Sequence, residues 1–511
     1  MAERVYLTTP IYYVNGAPHI GHAYCSLATD VLARWHRLAG REVFLLTGTD
    51  EHGQKVEKAA ADAGVPPQQF VDATSAKFRE MADRMGVSYD RFIRTTEPAH
   101  QRACAALWDR LVDAGQIYLG GYEGWYAVRD EAFYDEDETT LLPGGGRVAS
   151  TGAPVEWLTE PSYFFRLSDW GDRLLAHYEA NPDFIGPATR RNEVTSFVRS
   201  GLRDLSISRT SFAWGVPVPG DPRHVMYVWL DALANYLTAV GYPDADAALW
   251  PFWPVDLHMV GKDILRFHAV YWPAFLLAAG IAVPKRVFAT GWWTVEGQKM
   301  SKSLGNVIDP LALVDEFGLD PVRFYLLREI TFGADGELSR RALVGRLNVE
   351  LANDLGNLAQ RSLSLIAKNL GGVLPERGAH SDADTVLLAA ARALPVSLEV
   401  LLARQAFSDA LEEVWRVIRA ANAYIDHQAP WALRRTDPPR MSNVLRVLAD
   451  VIRAVATVLQ PFMPSSMAAM LDQLGVPADA RDIASLDTPL VSGIDLSTPT
   501  GVFPRHVEEA V

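Results

Sequence analysis

Over its first 115 residues the chain switches between two hydrophobic periods. Val5-Tyr6-Leu7-Thr8-Thr9 is short, β-branched and aromatic, which predicts a buried strand. Beyond it Ile20, Tyr24, Leu27, Val31, Leu32, Trp35 and Leu38 recur at helical spacing, and Gly40 supplies a left-handed stop. A second strand is predicted over 42–47, ending in Gly48-Thr49-Asp50-Glu51-His52-Gly53, with helices over 54–63, 68–85 and 98–114. This alternation predicts an α/β fold with a doubly wound parallel sheet, Rossmann-like, whose first half covers residues 1–115. From 116 to 225 helical periodicity fades while Gly, Pro and aromatic residues become dense, which predicts a small inserted connective domain. The sheet is expected to resume at Met226-Tyr227-Val228, with strands near 256–260 and 286–291, so that 226–290 forms the second half. Residues 291–345 read as a linker domain around a Lys/Ser loop, and 346–511 as an all-α helical bundle with a C-terminal tail. That tail is expected to pack loosely or to return along the surface.

Composition narrows the field. With 511 residues, 49% hydrophobic and 22% charged, the chain reads as a globular protein of several domains. Two cysteines, Cys25 and Cys104, exclude a disulfide framework and suit a reducing cytoplasm. No secretory signal is read at the N-terminus, and the longest apolar run, near 275–283, is too short for a bilayer, so no membrane partner is expected. A net charge of −14 argues against general nucleic-acid binding. A local basic face near the helical region can still take one specific RNA, with acids such as Glu131, Asp135, Glu136, Asp137 and Glu138 placed elsewhere.

Candidate chemistry gathers in two loops. His19-Ile20-Gly21-His22 sits where a strand gives way to a helix, so free N–H groups, a positive dipole end and two imidazoles converge on one point. Gly21 removes a side chain that would hold a nucleotide away. The stretch from Gly297 to Asn306 contains Lys299-Met300-Ser301-Lys302-Ser303, cationic and glycine-bounded, suited to the charge of a reacting triphosphate. Neither is a Walker A loop: in the nearest approach, 48–53, the second glycine is followed by Gln54 and only then Lys55. Asp50 could hold an ammonium group, or cap a turn or helix. Trp229, Leu233 and Tyr236 share a helix face, which describes a pocket wall and ordinary core packing equally well, and His268 is a lone helical histidine.

Together the two loops resemble the paired motifs of class I aminoacyl-tRNA synthetases. The resemblance narrows to the methionyl-tRNA synthetases through Thr8-Thr9-Pro10-Ile11-Tyr12-Tyr13, Gly48-Thr49-Asp50-Glu51-His52-Gly53, Tyr227-Val228-Trp229-Leu230-Asp231-Ala232, Gly261-Lys262-Asp263-Ile264 and Gln428-Ala429-Pro430-Trp431. It implies a ligase that activates L-methionine with ATP and Mg2+ to methionyl-adenylate, then charges tRNA(Met), the initiator included. It assigns catalysis to His19, His22, Lys299 and Lys302. ATP contacts fall on Pro10, Tyr12, Gly21, His22, Gly261, Lys262, Asp263, Lys299 and Lys302. Methionine contacts fall on Ile11, Tyr13, Asp50, Trp229, Ala232, Leu233, Tyr236, Ile264 and His268, with Leu233 standing where some relatives have proline. Anticodon reading falls on Asn357, Arg361, Pro430 and Trp431.

The insertion departs from the family pattern. Tyr122-Glu123-Gly124-Trp125-Tyr126 and Pro154-Val155-Glu156-Trp157 match it, but Ala127 and Asp130 stand where metal-binding cysteines would begin, so no structural zinc and no metal ligands are expected. The insertion is also too short for a hydrolytic editing domain, which favours methionine over the isoleucyl, valyl and leucyl relatives. The family's optional C-terminal dimerisation module is not recognised, so a monomer is expected. Two other readings compete: a small-molecule nucleotidylyltransferase, which also uses an HxGH loop, and a silent tRNA-binding paralogue. The helical bundle and the lysine loop disfavour the first, and the two intact motifs disfavour the second.

Overall fold

The computed structural model describes residues 3–130, 132–295, 298–299 and 308–506, and its central element is a six-stranded sheet. The strands used below are β1 (Arg4–Tyr13), β2 (Glu42–Asp50), β3 (Arg91–Arg94), β4 (Ile117–Ala127), β5 (Pro154–Phe165), β6 (Ile185–Gly186), β7 (Leu257–Gly261) and β8 (Val287–Thr290). The helices are α1 (Ile20–Leu38), α2 (Pro98–Asp113), α3 (Val228–Thr238), α4 (Leu319–Arg328), α5 (Asp382–Ala403), α6 (Phe407–Gln428) and α7 (Pro438–Leu459). The sheet runs β3-β2-β1-β7-β8-β6, every pair parallel. β1 and β2 are buried along most of their length, as strands covered by helices on both faces must be.

The order runs outward from β1 in both directions, so β1 and β7 flank the point where the topology reverses. In such sheets the crevice beyond the carboxyl ends of the strands at that point is the binding site. β1 carries a register shift between Thr8 and Ile11 against β2. Pro10 has no N–H to give a regular ladder, so an irregularity there is the expected response. Beyond it Pro10, Ile11, Tyr12 and Tyr13 all reach the crevice.

The sequence misplaces one segment. Met226-Tyr227-Val228 does not resume the central sheet. Asp221–Met226 instead pairs antiparallel with Ser208–Arg209 and Pro217–Val218 in a separate three-stranded sheet. Tyr227 is already the N-cap of α3. A three-residue apolar run carries no information about which sheet it joins. The strand that does complete the sheet is β6, only two residues long, from within 116–225.

In the connective segment β4 and β5 pair antiparallel, with Trp125 opposite Trp157 and the two rings edge-on at 5.3 Å. The outer end of this hairpin is closed by a small apolar knot of Ala127, Ala149, Ala153 and Val155, against which Trp125 and Tyr134 pack. Ala127 thus contributes to a hydrophobic closure.

The C-terminal half is helical. α5, α6 and α7 pack on one another, and α5 starts on a capping box from Ser381 and Asp384. α5 is the one described helix long and apolar enough to cross a membrane, and here a third of that stretch is buried in the bundle. The tail returns along the bundle rather than packing loosely. Arg446 donates to the Leu490 carbonyl at 2.6 Å, Arg453 to those of Thr488 and Ser485 at 2.6 Å, and the His506 N–H meets Asn348 at 2.9 Å.

Candidate active site

α1 begins on an unusual cap. The Gly21 N–H donates to His19 Nδ1 at 3.1 Å, and the His19 N–H donates to His22 Nδ1 at 3.0 Å. Two histidines therefore form the reciprocal capping box that Ser and Glu usually make. A ring nitrogen that accepts a backbone N–H carries no proton, so both imidazoles are neutral with hydrogen on Nε2. The rings lie 3.8 Å apart. The glycine between them has a second role: a Cβ on Gly21 would stand 3.0 Å from His19 Cε1 and displace that ring.

A cavity of about 420 Å³ opens beside this cap, at the carboxyl ends of β1, β2 and β7. Asp50, buried at the end of β2, lies on one wall. It is not a helix cap, because the next helix (Gln54–Asp62) starts on Gly53 without a side-chain cap. The opposite wall is α3, from which Val228, Trp229, Ala232, Leu233 and Tyr236 face inward. Trp229 is stacked flat on Phe267, centroids 3.4 Å apart and planes within 7°. Phe267 opens a π-helical turn, Phe267–Tyr271, which also carries His268; such turns concentrate at functional sites.

The floor is polar and internally satisfied. His268 Nδ1 donates to the Ile264 carbonyl at 3.0 Å, so its Nε2 accepts the Tyr236 hydroxyl at 2.8 Å. Burial pushes His268 down to about 4, so this arrangement persists through neutral pH. In the unfolded chain the ring titrates near ~6.5. Acid therefore favours unfolding: the penalty starts as pH drops below the unfolded value and grows until the folded ring also takes up a proton. At pH 5.5 it amounts to about 1 kcal/mol relative to neutral pH. The loss of stability between pH 7.5 and 5.5 in urea unfolding should be larger by that increment in the native chain than in His268→Gln.

Of the residues expected from sequence, Pro10, Ile11, Tyr12, Tyr13, His19, Gly21, His22, Asp50, Trp229, Ala232, Leu233, Tyr236, Gly261, Asp263, Ile264 and His268 all line this one cavity. Lys262 does not. Its ammonium is held by both Asp335 oxygens at 2.6 and 2.7 Å and lies over the Trp292 ring. Lys302 lies outside the described residues, as does most of its loop. The Lys299 backbone pairs with Thr294 in a short antiparallel ladder, and nothing further of its side chain is described. The structure adds wall residues that sequence reasoning missed: Cys25, Lys55, Asp130, Val228, Thr290, Gly291, Trp292 and Trp293. Lys55 sits over the Tyr13 ring at 5.4 Å.

A second candidate surface lies on the bundle. Ala429 adopts φ 44°, a left-handed conformation that costs an alanine energy, and so turns the chain sharply from α6 into Pro430–Thr436. The turn buries Pro430 and leaves Trp431 47% exposed. Arg361, one helix away, stands over the Trp431 ring at 5.6 Å and pairs with Asp426 at 2.6 Å. Asn357 is exposed one turn earlier on the Arg361 helix, and Lys368, Arg434 and Arg435 are exposed nearby along the chain.

A parallel sheet with an anion-ready helix start beside an aromatic pocket defines a nucleotide-dependent activating enzyme, and family comparison gives its kind. Residues 5–363 match the model of tRNA synthetases class I (M), and residues 374–511 match the anticodon binding domain of methionyl tRNA ligase. The chain belongs to the class I tRNA synthetases (M). It is 57% identical over 509 residues to the methionine–tRNA ligase of Mesorhizobium japonicum, covering 99% of this chain and 98% of that one. With the Mycobacterium leprae methionine–tRNA ligase it shares 54% over 508 residues, 98% of this chain and 95% of that one. The structure superposes on Mycobacterium tuberculosis methionyl-tRNA synthetase in complex with methionyl-adenylate with a TM-score of 0.96. That pair shares 53% identity, covering 98% of this chain and 100% of the other. Against the apo form of the same enzyme the TM-score is 0.91 at 50% identity, over 100% and 99% of the two chains. The reaction is methionine–tRNA ligation: ATP activates methionine, and the methionyl group then charges tRNA.

Proposed function

We propose that the single cavity between the α1 cap and the α3 wall holds methionine and ATP together, and that its residues divide the work as follows. Asp50 takes the substrate ammonium. Trp229, Tyr236 and Ile264 enclose the thioether chain, with Ile11, Tyr13, Ala232, Leu233 and His268 completing the pocket. The triphosphate lies across the start of α1, where His19 and His22 present Nε2–H donors to phosphate oxygens. Pro10, Tyr12, Gly21, Gly261 and Asp263 border the nucleotide, and Lys299 and Lys302 approach the phosphates. ATP enters as its Mg2+ complex. Lys262 acts through Asp335 and the Trp292 ring rather than from the wall.

These residue types suit the chemistry. The methionine carboxylate is ionised at neutral pH and attacks the α-phosphorus without a general base. Pyrophosphate leaves, and fixed donors and cations stabilise the charge that moves onto it. The 2′-hydroxyl of the terminal adenosine then attacks the carbonyl carbon, its proton passes to the phosphate of the departing AMP, and AMP leaves. The observation that carries this reading is that sixteen expected residues, scattered from Pro10 to His268, converge on one cavity.

The proposal extends to the bundle. Asn357, Arg361, Pro430 and Trp431 read the anticodon of tRNA(Met), initiator tRNA included, with Trp431 as the stacking platform. The chain works as a monomer in the cytoplasm, where both buried free thiols are stable. Its parts are a catalytic domain split into 1–115 and 226–290, a connective segment at 116–225 that also lends β6 to the catalytic sheet, a linker at 291–345 and the bundle from 346. Two assays on Trp431→Ala test the division. Amino-acid-dependent ATP–pyrophosphate exchange should respond to methionine alone and be unchanged in the variant. The tRNA KM in charging should rise about 10-fold, the worth of one lost base–aromatic stack. Equal loss in both assays would contradict the assignment of anticodon reading to this surface.

A further inference from the structure

Behind the α3 wall lies a buried polar network that the reaction as described does not use. Asp231 Oδ2 is 2.6 Å from His52 Nδ1, and Asp231 Oδ1 is 2.7 Å from His100 Nε2. Asp231 and His100 are fully buried and His52 is 3% exposed. None of the three lines the cavity. Each belongs to a different part of the chain: His52 follows β2, His100 lies on α2, and Asp231 lies on α3. His100 Nδ1 is also bonded to Thr238 Oγ1 at 3.0 Å, which ties α2 to the far end of α3.

We propose that Asp231 is a positioning residue for amino-acid binding: it clamps the loop that follows Asp50 at the end of β2 to the helix that carries Trp229, Ala232, Leu233 and Tyr236. The proposal rests on methionine occupying this cavity. An amino acid there must meet Asp50 with its ammonium and α3 with its side chain, so the distance from loop to helix sets the fit. The residues after Asp50 are anchored away from the cavity. Glu51 is gripped by Arg94 Nε at 2.7 Å and Nη2 at 2.9 Å, and its carbonyl accepts the Trp214 indole N–H at 2.6 Å. His52 is held by Asp231 on one side and lies edge-on to Trp214 on the other, centroids 5.6 Å apart. On α3, residues 229, 232, 233 and 236 face the cavity while Asp231 faces the clamp, as helical spacing requires.

The shifts of Asp231 and His52 favour an ion pair between them. Burial alone would raise the Asp231 carboxyl, but the His52 and His100 imidazoles outweigh it and hold it well below the usual range. Burial alone would lower His52, and Asp231 reverses that. A buried carboxylate with both oxygens occupied by imidazoles from separate elements is a rigid three-way joint, and displacing a substrate contact by 1 Å costs on the order of 10²-fold in rate.

The test is exchange kinetics on Asp231→Asn and His52→Gln in the full chain. Each variant should raise the methionine KM at least ~10-fold while leaving the ATP KM within about twofold. The double variant should be no worse than the poorer single, because one joint is broken either way. Equal rises in both KM values, or a methionine KM within twofold of native in a folded variant, would overturn the proposal. Should Asp231→Asn not fold, His52→Gln decides by the same readout. Asp50→Asn run alongside separates the two levels. If it raises the methionine KM and the clamp variants do not, only the clamp fails; if it has no effect, the pocket assignment beneath the clamp fails.

Discussion

Asp50→Asn should lower kcat/KM for methionine in ATP–pyrophosphate exchange by at least ~30-fold, mostly through KM, while the ATP KM moves only a few-fold. The substitution keeps shape and removes charge. Asp50 is 6% exposed, so an ammonium brought to it is desolvated and depends on the carboxylate for compensation. Truncating one partner of a buried hydrogen-bonded charge pair costs about 2–5 kcal/mol, which is roughly 30- to several-thousand-fold in an equilibrium constant. A turn-stabilising aspartate would behave differently, because asparagine serves a turn nearly as well. A loss below about fivefold, or equal losses for methionine and ATP, would remove Asp50 from the ammonium site.

The catalytic region was legible from sequence where local pattern and chemistry coincide. A strand, a loop with two histidines and a helix placed His19 and His22 at a helix start, and the structure finds them there as mutual caps. The α3 face was legible from spacing alone, although spacing could not separate a pocket wall from core packing; the cavity in front of Trp229 and Tyr236 does that. What failed to show depends on distant partners. Lys262 looked like a nucleotide contact, yet its ammonium is taken by Asp335, seventy-three residues later. Lys55 and the Trp292-Trp293 pair reach the cavity only because the sheet brings their strand and helix ends together. β6 is too short for any periodicity to reveal, and Met226-Tyr227-Val228 carried a strand signal without saying which sheet it served. The Asp231 clamp was invisible for the same reason: its hydrogen-bond partners lie 131 and 179 residues away.

Arg323→Met should cost about 3–5 kcal/mol of stability, the toll of removing one member of a fully buried ion pair. Arg323 and Asp30 are both fully buried, with Nη2 to Oδ2 at 2.7 Å. The same guanidinium donates to the carbonyls of Phe462 at 3.0 Å, Pro461 at 2.8 Å and Met85 at 3.1 Å. One side chain on α4 thus joins α1, the end of the helix before β3, and the segment following α7. Burial alone would raise the Asp30 carboxyl, but Arg323, Arg34 and Ser88 outweigh it and hold it below its usual value. Its contribution is therefore complete above the unfolded carboxylate pKa and is lost as pH falls through the folded one, so the penalty should be constant from pH 6 to 8. Adding Asp30→Asn removes the buried charge and should recover part of the loss, because a neutral buried pair costs less than a carboxylate left with Arg34, at 2.8 Å, as its one cation. Urea unfolding of the single and double variants measures both effects. A single-variant loss under about 1 kcal/mol, or no recovery in the double, would show that the surrounding carbonyls and Arg34 satisfy Asp30 without Arg323. The joint also bears on function. α1 carries the histidine cap at one end and is gripped by the bundle further along, where the Trp35 indole and Arg41 both bond Glu399 of α5 at 2.6 Å. Loosening Arg323 should therefore reduce tRNA charging more than methionine activation, since only charging needs the bundle and the catalytic sheet held in one orientation.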